Sequence, residues 1–186
     1  RPSPTAELSA EAKAVIERAT SIAADLGSLL VEPDHLGIAL LDAWPGGAPN
    51  ARRVTTTAAD LLLRLDVGVP TLRATLYREQ LDAQLSTTVR VRRIERPKIG
   101  APIALILALA ERMATAESEH AQIAAAHLLL AAVESHEVGT VSCSLAAALG
   151  ASDISFGELV AVWRDLRATL ATGAKDFLVA TEKRDE

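Results

Sequence analysis

The sequence predicts an all-α fold, organised as two tandem four-helix repeats related by a pseudo-twofold axis. Ala and Leu dominate an apolar content of 49%, and aromatic residues make up only 3%. Ala and Leu have high helix propensities, whereas a β-sandwich or barrel needs alternating β-branched and aromatic residues. Apolar residues recur at spacings of three and four, which places them on one face of a helix. In addition, the second half of the chain repeats the order of the first.

Four helices are predicted in the first repeat (residues 8–85), after an N-terminal extension (residues 1–7) whose prolines cannot continue a helix. Ser9 is a favourable N-cap for the first helix, and Gly27 is suited to end it. Pro33 fits the first turn of the second helix. Residues 45–50, rich in Pro and Gly, are predicted to form a loop. The predicted helices cover residues 8–26, 32–41, 57–65 and 70–85.

A basic linker (residues 86–100) is predicted between the two repeats, because Pro97 breaks any helix there. The second repeat (residues 101–170) is expected to contain four further helices, with Gly150 ending the third, and residues 171–186 are expected to form a C-terminal tail. The predicted helices cover residues 102–118, 124–134, 142–149 and 156–170. The cations of the linker are Arg90, Arg92, Arg93, Arg96 and Lys98.

Two shifts in numbering relate the repeats. A shift of 92 residues superposes the first two helices and places Ala12 on Ala104. Beyond the loop the shift falls to 84, which places Leu65 on Leu149, so the first half carries about eight extra residues near position 50. Internal duplication therefore organises the whole chain.

Charge and composition exclude several classes of protein. The 19 Lys and Arg residues against 24 Asp and Glu give a net charge of −5, which lacks the basic footprint of a nucleic-acid-binding protein. Cys143 is the only cysteine, so no internal disulfide forms and a cytoplasmic location is expected. The longest apolar run, Ile103 to Ala110, is far shorter than the roughly 20 residues of a membrane span. Neither nucleic acid nor a membrane is expected as a partner.

The ordered motifs resemble each repeat of the N-terminal domain of Clp-type unfoldases. The resemblance rests on SAEAKAVI at residues 9–16, Leu26-Gly27, and a box that reads EPDHLG at 32–37 and AAAHLL at 124–129. The closing segments ADLLLRLDV at 59–67 and LAAALGA at 145–151 also resemble the family. Together these motifs cover roughly residues 8 to 170.

The resemblance implies a module that lies ahead of ATPase domains and recruits protein substrates or adaptor proteins. Some members bind arginine-phosphorylated proteins, members in high-GC bacteria are targets of cyclic-peptide antibiotics, and stand-alone versions exist. The sequence has no Gly-x-x-x-x-Gly-Lys-Ser/Thr motif to cradle nucleotide phosphates. We therefore expect a recognition module that is a monomer, needs no cofactor and is not an enzyme.

The box departs from the phosphoarginine-binding members in both repeats. By resemblance, the box carboxylate pairs with the guanidinium. The first repeat has Asp34 at this place, preceded by Pro33, and the second has Ala126, preceded by Ala125. We expect at most weak phosphoarginine binding at the first box and none at the second. The candidate ligand-binding residues are Leu8, Asp34, His35 and His127.

Each candidate also has a structural interpretation. His35 and His127 are expected to bond a backbone group at a helix start, because no further metal ligands lie near them in sequence. Asp34 is expected to be stabilised by the positive end of a helix. Cys143 has no neighbouring base and is not expected to be a nucleophile. Further expectations are core anchors at Trp44 and Trp163, a solvated basic linker, and an exposed charged cap made of Glu117, Glu119 and His120.

Two functional hypotheses follow from the resemblance. The first is a recognition domain of the Clp protease system, either part of an unfoldase or encoded alone. The second is a stand-alone decoy that sequesters Clp-targeting cyclic-peptide antibiotics and so protects the true unfoldase. Few lysines beside abundant Ala and Arg indicate a high-GC bacterial genome.

Overall fold

The computed structural model describes residues 6–44, 54–86, 96–118 and 120–182, with the backbone alone described at 43–44, 54–55, 85–86 and 173–182. Within these ranges eight helices carry the fold, which confirms the all-α prediction. The helices are α1 (Ala10–Asp25), α2 (Pro33–Leu40), α3 (Thr57–Arg64), α4 (Val69–Ser86), α5 (Ala101–Glu117), α6 (Ala125–Glu137), α7 (Ser144–Ala151) and α8 (Phe156–Glu182). Four two-residue strands also occur: β1 (Leu30–Val31), β2 (Ala43–Trp44), β3 (Val54–Thr55) and β4 (Lys98–Ile99). The predicted loop at 45–50 and residues 87–95 of the predicted linker lie outside the described ranges.

The ends of α1 follow from two residues. The Ser9 hydroxyl accepts a hydrogen bond from the Ala12 amide at 3.2 Å, which satisfies one of the amides that a helix start leaves free. Gly27 follows the helix with a φ of 71°, and the amide of Ser28 bonds the carbonyl of Ala23 at 2.8 Å. Because glycine enters this left-handed region without a Cβ clash, it ends the helix. Ser9 and Gly27 are confirmed as the residues that bound the helix, which runs from Ala10 to Asp25 rather than over residues 8–26.

Four predicted boundaries in the second half are wrong. α6 continues to Glu137, past residue 134, and α8 continues to Glu182, so most of the predicted tail is helical as far as it is described. α7 begins at Ser144 and passes through Gly150, the predicted stop. The chain leaves α7 instead at Asp153, which has a φ of 59°. The short polar side chain of Asp tolerates this conformation better than most residues do.

The observed helix starts change the predicted numbering shift between α1 and α5, the first helices of the two repeats. α2 and α6 start at Pro33 and Ala125, 92 residues apart as predicted. The first residues of α1 and α5 are 91 apart instead. Buried Ala12 therefore corresponds to buried Ile103. The predicted match of Ala12 to Ala104 is wrong, because Ala104 is exposed and belongs to the outer face of its helix.

The shift beyond the loop is also corrected. Thr57 and Ser144, which begin α3 and α7, are 87 residues apart. The match of Leu65 to Leu149 is wrong, because Leu149 is buried in the core whereas Leu65 is the half-buried cap residue that ends α3. The buried counterpart of Leu149 is Leu62. The change from 92 to 87 means that the first half carries five extra residues between its second and third helices.

Short backbone pairings interlock the two repeats crosswise. β1, in front of α2, pairs in parallel with β4, in front of α5. The equivalent pairing is a parallel bridge between Leu8, in front of α1, and Ile123, in front of α6. There the Ser9 amide donates to the Ile123 carbonyl at 3.0 Å, and the Ile123 amide donates to the Glu7 carbonyl at 2.8 Å. In each pairing, the segment before the first helix of one repeat bonds the segment between the first and second helices of the other repeat. A pseudo-twofold axis requires this exchange.

One hydrophobic core runs through both repeats. α2 packs on α7 and α3 packs on α6, so the short helices of each repeat cross into the other. Gly37 permits the first of these contacts, because a Cβ there would lie 3.0 Å from the Cβ of Leu145. This crosswise packing brings the starts of four helices together in two pairs. The largest fully buried side chains include Ile22, Leu36, Leu62, Ile106, Leu128 and Leu149.

Candidate functional site

The two boxes lie at two equivalent junctions between helix starts. At the first junction the start of α2, with Asp34, meets the start of α7, with Ser144. At the second junction the start of α6, with Ala125 and Ala126, meets the start of α3, with Thr57. A helix start leaves amides without intrahelical partners and carries partial positive charge. Each junction therefore needs acceptor groups, from the chain or from a ligand.

Asp34 supplies the acceptors of the first junction. One of its oxygens accepts from the amide of Ser144, the first residue of α7, at 2.7 Å. The other accepts from Nε2 of Gln80 in α4 at 2.9 Å. The carboxylate does act at a helix start, as expected, but the helix that it stabilises is α7 of the other repeat. Both oxygens thus have partners within the chain.

Glu11 and Thr57 fill the second junction, and sequence analysis missed both. One Glu11 oxygen accepts from the Ala125 amide at 2.9 Å and from the Thr57 hydroxyl at 2.6 Å. The other accepts from the Thr57 amide at 3.0 Å, and the Ala126 amide donates to the Thr57 hydroxyl at 3.0 Å. The missed signal was the lost box carboxylate itself, since the amides of α6 still require an acceptor.

The two box histidines bond the backbone, as expected. Nδ1 of His35 accepts from the Glu32 amide at 3.0 Å, and Nδ1 of His127 accepts from the Ala124 amide at 2.9 Å. Both rings are buried, and burial lowers the pKa of each. A neutral ring whose Nδ1 accepts a bond carries its proton on Nε2. Each ring therefore needs a second partner for Nε2.

His127 finds that partner in Glu117. The His127 Nε2 lies 3.0 Å from one Glu117 oxygen, which also forms an ion pair with Arg167, and the other oxygen accepts from Trp163 Nε1 at 2.8 Å. The Trp163 ring meets the His127 ring edge-on, with centroids 5.2 Å apart. Partial burial acts to raise the pKa of Glu117, but bonds from Arg167 and Trp163 outweigh it and the pKa is lowered. The expected exposed cap is therefore wrong at Glu117, and the expected core anchor is confirmed at Trp163.

His35 has no such partner. Its Nε2 is buried and makes no hydrogen bond within the described residues. The helix registers explain the difference, because the positions equivalent to Glu117 and Trp163 are the buried residues Leu26 and Leu76. The position equivalent to Arg167 is Gln80, which bonds Asp34 instead. The first repeat keeps the box histidine but has leucines at the positions where the second repeat has Glu117 and Trp163.

The remaining candidates do not converge on one open pocket. Leu8 is half-buried in the bridge to Ile123. Cys143 is buried beside α2, and burial raises the pKa of its thiol to about 11, so it is not a thiolate at neutral pH. His120 is exposed, and Glu119 and the Trp44 side chain lie outside the described parts of the chain. Among the described residues, no group of His, Cys, Asp and Glu is arranged to hold a metal ion.

An exposed apolar surface lies elsewhere, on the outer side of α5 and the adjoining strands; we call it the α5 face. Exposed fractions are 70% for Leu29, 43% for Leu30, 44% for Ile99 and 56% for Leu105. Gly100 joins β4 to α5, and a Cβ built on it would lie 3.9 Å from the Cβ of Leu30 and 3.6 Å from the Cδ of Pro102, so β1 lies beside the start of α5. The small exposed residues of the α5 face are Ala101, Pro102, Ala104 and Ala108.

α1 has no comparable surface, although it holds the equivalent place in the first repeat. Its exposed residues Lys13 and Glu17 correspond to Ala104 and Ala108 of α5 in the register of 91 residues. A helix that is apolar on its outer face as well as its inner one indicates a covered surface. The signal in the sequence was the uncharged run Ile103 to Ala110, which is too short for a membrane but covers both faces of a helix.

No single described helix is long and apolar enough to cross a membrane. Among the described residues, α7 and the first part of α8 (Phe156–Thr172) are together long and apolar enough, but they are bent by 96° relative to each other.

Two interlocked four-helix repeats with a histidine box at each second helix define the class of the N-terminal domains of Clp-type unfoldases. A family model described as the Clp repeat (R) N-terminal domain matches residues 7–147, and the chain belongs to this family. No curated protein sequence matches the chain.

Solved structures of low sequence identity share the fold. One comes from a study of a malarial protein secretion system, with 16% identity and a TM-score of 0.61, covering 86% of this chain and 93% of that chain. The Hsp104 N-terminal domain from Candida albicans has 14% identity and a TM-score of 0.59, covering 87% and 91%. The N-terminal domain of the ClpV1 ATPase from E. coli EAEC Sci1 T6SS has 21% identity and a TM-score of 0.60, covering 87% and 86%.

Proposed function

We propose that this chain is a protein- or peptide-recognition module of the Clp protease system, and that it binds substrates or adaptors through the α5 face. The exposed outer side of α5, which is uncharged from Ala101 to Ala108, carries the proposal. Exposed contiguous apolar surface on a folded domain marks a site of interaction. Unfoldase N-terminal domains, which this chain resembles in fold, recruit substrates and adaptors, and an apolar surface suits partly unfolded protein chains.

The filled junctions support a shift of recognition away from the boxes. Asp34 already binds the start of α7, and Glu11 already binds the starts of α3 and α6. Ala125 and Ala126 are fully buried. A phosphoarginine would have to displace these charge-assisted bonds, each of which contributes about 1.5–3 kcal/mol. We therefore expect phosphoarginine to bind weakly at the first junction and not at all at the second.

The pseudo-symmetry of the chain offers a matched test of the α5 face. The double variant Ala104→Lys with Ala108→Glu gives α5 the outer charges that α1 already carries at Lys13 and Glu17. Both sites are exposed, and Lys and Glu are good helix formers, so the fold should be kept. Fluorescein-labelled casein is a suitable unfolded probe, with binding followed by fluorescence anisotropy.

The wild type should bind casein, and the double variant should bind at least tenfold more weakly, because charged groups would have to be desolvated on binding. The control variant Lys13→Ala with Glu17→Ala, on the outer side of α1, should bind like the wild type. Equal binding by the wild type and the α5 double variant, or loss of binding in the α1 control, would contradict the proposal.

A second proposed function is a decoy that sequesters Clp-targeting cyclic-peptide antibiotics. It is favoured by the combination of an open apolar face with junctions that are filled by the chain's own carboxylates. A decoy needs an open apolar face to bind the peptide, and it does not need free substrate-binding carboxylates. Purified chain added to an unfoldase inhibited by such a peptide should restore its activity, and the α5 double variant should not. Failure of the wild type to restore activity would exclude the decoy and leave substrate recognition untouched.

A further inference from the structure

A second open site lies where the ends of α3 and α7 meet the first turns of α4; we call it the α4 groove. Its volume is about 660 Å³, within the range of ordinary ligand pockets. It shares no residue with the α5 face. The first repeat contributes Leu65, Asp66, Val67, Gly68, Thr71, Leu72 and Thr75. The second repeat contributes Ala148, Leu149, Ser152 and Ile154.

Two equivalent turns build the groove from opposite repeats. Asp66 ends α3 and Asp153 ends α7, with φ values of 58° and 59°. After each turn the amide of the next residue bonds back into the helix, from Val67 to Leu62 and from Ile154 to Leu149, both at 3.0 Å. These reversals, of the kind that close helix ends, bring Val67 and Ile154 to line the same groove. The site therefore exists only because two repeats are joined.

The groove combines apolar side chains with one acidic side chain. Of its described lining residues, Asp66 alone is charged, and it is exposed. Asp153 lies in sequence between two lining residues, Ser152 and Ile154, and is exposed as well. Neither Lys nor Arg is among the residues that line the groove. An occupant that complements these features has an apolar side chain beside a positive charge.

We propose that the α4 groove binds a segment of a partner protein in which a Lys or Arg stands next to a large apolar residue. The apolar side chain packs against Leu72 and Ile154, and the cation pairs with Asp66. This site goes beyond the recognition assigned to the α5 face, because it selects for charge as well as for exposed apolar chain. It would give the module two separate contacts with one partner, or one contact with each of two.

A capped hexapeptide, acetyl-Gly-Leu-Arg-Leu-Gly-Ser-amide, is the probe, with two matched peptides that carry Glu in place of Arg or Ala in place of both Leu residues. Binding is followed by amide chemical shifts of the isotope-labelled chain. The Arg peptide should shift amides of 65–75 and 148–154, and both matched peptides should bind severalfold more weakly. Shifts centred on 99–108, or equal binding of all three peptides, would overturn the proposal.

Three variants make the test specific. Asp66→Asn keeps the turn, because Asn also tolerates the left-handed region, and should weaken binding about two- to fivefold, as expected for an exposed ion pair. Thr75→Arg places a cation on the wall and should abolish detectable binding. The α5 double variant Ala104→Lys with Ala108→Glu should bind the peptide like the wild type, which separates this site from the α5 face. Unchanged affinity in both Asp66→Asn and Thr75→Arg would contradict the proposal, as would shifts that depend on protein concentration and so report a second copy of the chain.

Discussion

The two box histidines occupy equivalent places in the two repeats and have different surroundings. His35 and His127 each accept a backbone amide through Nδ1 at the start of a helix, at 3.0 and 2.9 Å. Within the described parts of the chain, only His127 uses its Nε2, which bonds Glu117 in a group that includes Trp163 and Arg167. The backbone bond is therefore the feature of the histidine that both repeats keep. The residues that face Nε2 differ, with Glu117 and Trp163 in the second repeat and Leu26 and Leu76 at the equivalent positions of the first.

Glu117→Ala is expected to have the largest effect on stability. It leaves the buried Nε2 of His127 and the indole of Trp163 without an acceptor and removes the partner of Arg167. Losing these bonds to a carboxylate should lower the free energy of unfolding by about 3 kcal/mol, measured by urea denaturation. Glu117→Gln keeps an acceptor oxygen and should cost only about 1 kcal/mol. A loss below about 0.5 kcal/mol for Glu117→Ala, the usual range of a surface substitution, would mean that the charged shell is not structural.

Replacing each histidine by leucine compares the surroundings of His35 with those of His127 directly. His127→Leu removes two hydrogen bonds and should cost about 2 kcal/mol in free energy of unfolding. His35→Leu removes one bond together with an unpartnered buried N–H, so it should cost about 1 kcal/mol or less. Urea denaturation of both variants under the same conditions measures the difference. Equal losses would show that the contact between His127 and Glu117 adds nothing.

Acid should weaken the fold through both rings, with a smaller effect than the substitutions above. Burial lowers each histidine pKa below the ordinary value of 6.5. The unfolded chain therefore binds protons that the folded chain does not, so this stability is complete above pH 6.5 and is lost as the pH falls towards the folded-state pKa. The lowered pKa of Glu117 adds a second loss below its ordinary 4.5.

Urea denaturation between pH 7.5 and pH 5 tests this expectation, because this window extends from about one unit above to about one and a half units below the ordinary histidine pKa of 6.5. The free energy of unfolding of the wild type should fall across that window. His35→Leu and His127→Leu should each reduce this dependence on pH, and the variant that carries both substitutions should lose nearly all of it. A double variant with the slope of the wild type would assign the acid sensitivity to other groups.

Sequence patterns predicted the fold because local signals agree with the tertiary structure. The Ser9 side chain caps the start of α1 and Gly27 closes its end, through bonds between near neighbours in the chain. The bonds from the Glu32 and Ala124 amides to His35 and His127 are local as well. The exact shifts between repeats were wrong at Ala104 and Leu65, because matching residue types cannot tell the inner face of an Ala- and Leu-rich helix from the outer one. Burial decides that, and it depends on the partner helices.

The candidate site was harder to predict because its bonds join distant residues. Asp34 and Ser144 are 110 positions apart, and Glu11 and Ala125 are 114 apart. Nothing local in the sequence links them. Glu117 was expected to be exposed because it ends a helix beside a loop, yet α8 returns over it with Trp163 and Arg167. The α5 face was visible as an uncharged run, but only the packing of α5 shows which of its residues remain open.

We propose that recognition lies on the α5 face, while the box junctions are closed by the chain's own groups. An amide NMR titration of the isotope-labelled wild type with phosphoarginine, followed by unfolded casein, tests it most directly. The account predicts no more than weak shifts near Ser144 and none near Ala126 with phosphoarginine, and clear shifts over residues 99–108 with casein. Tight phosphoarginine binding centred on the junctions, with residues 99–108 unaffected by casein, would contradict it.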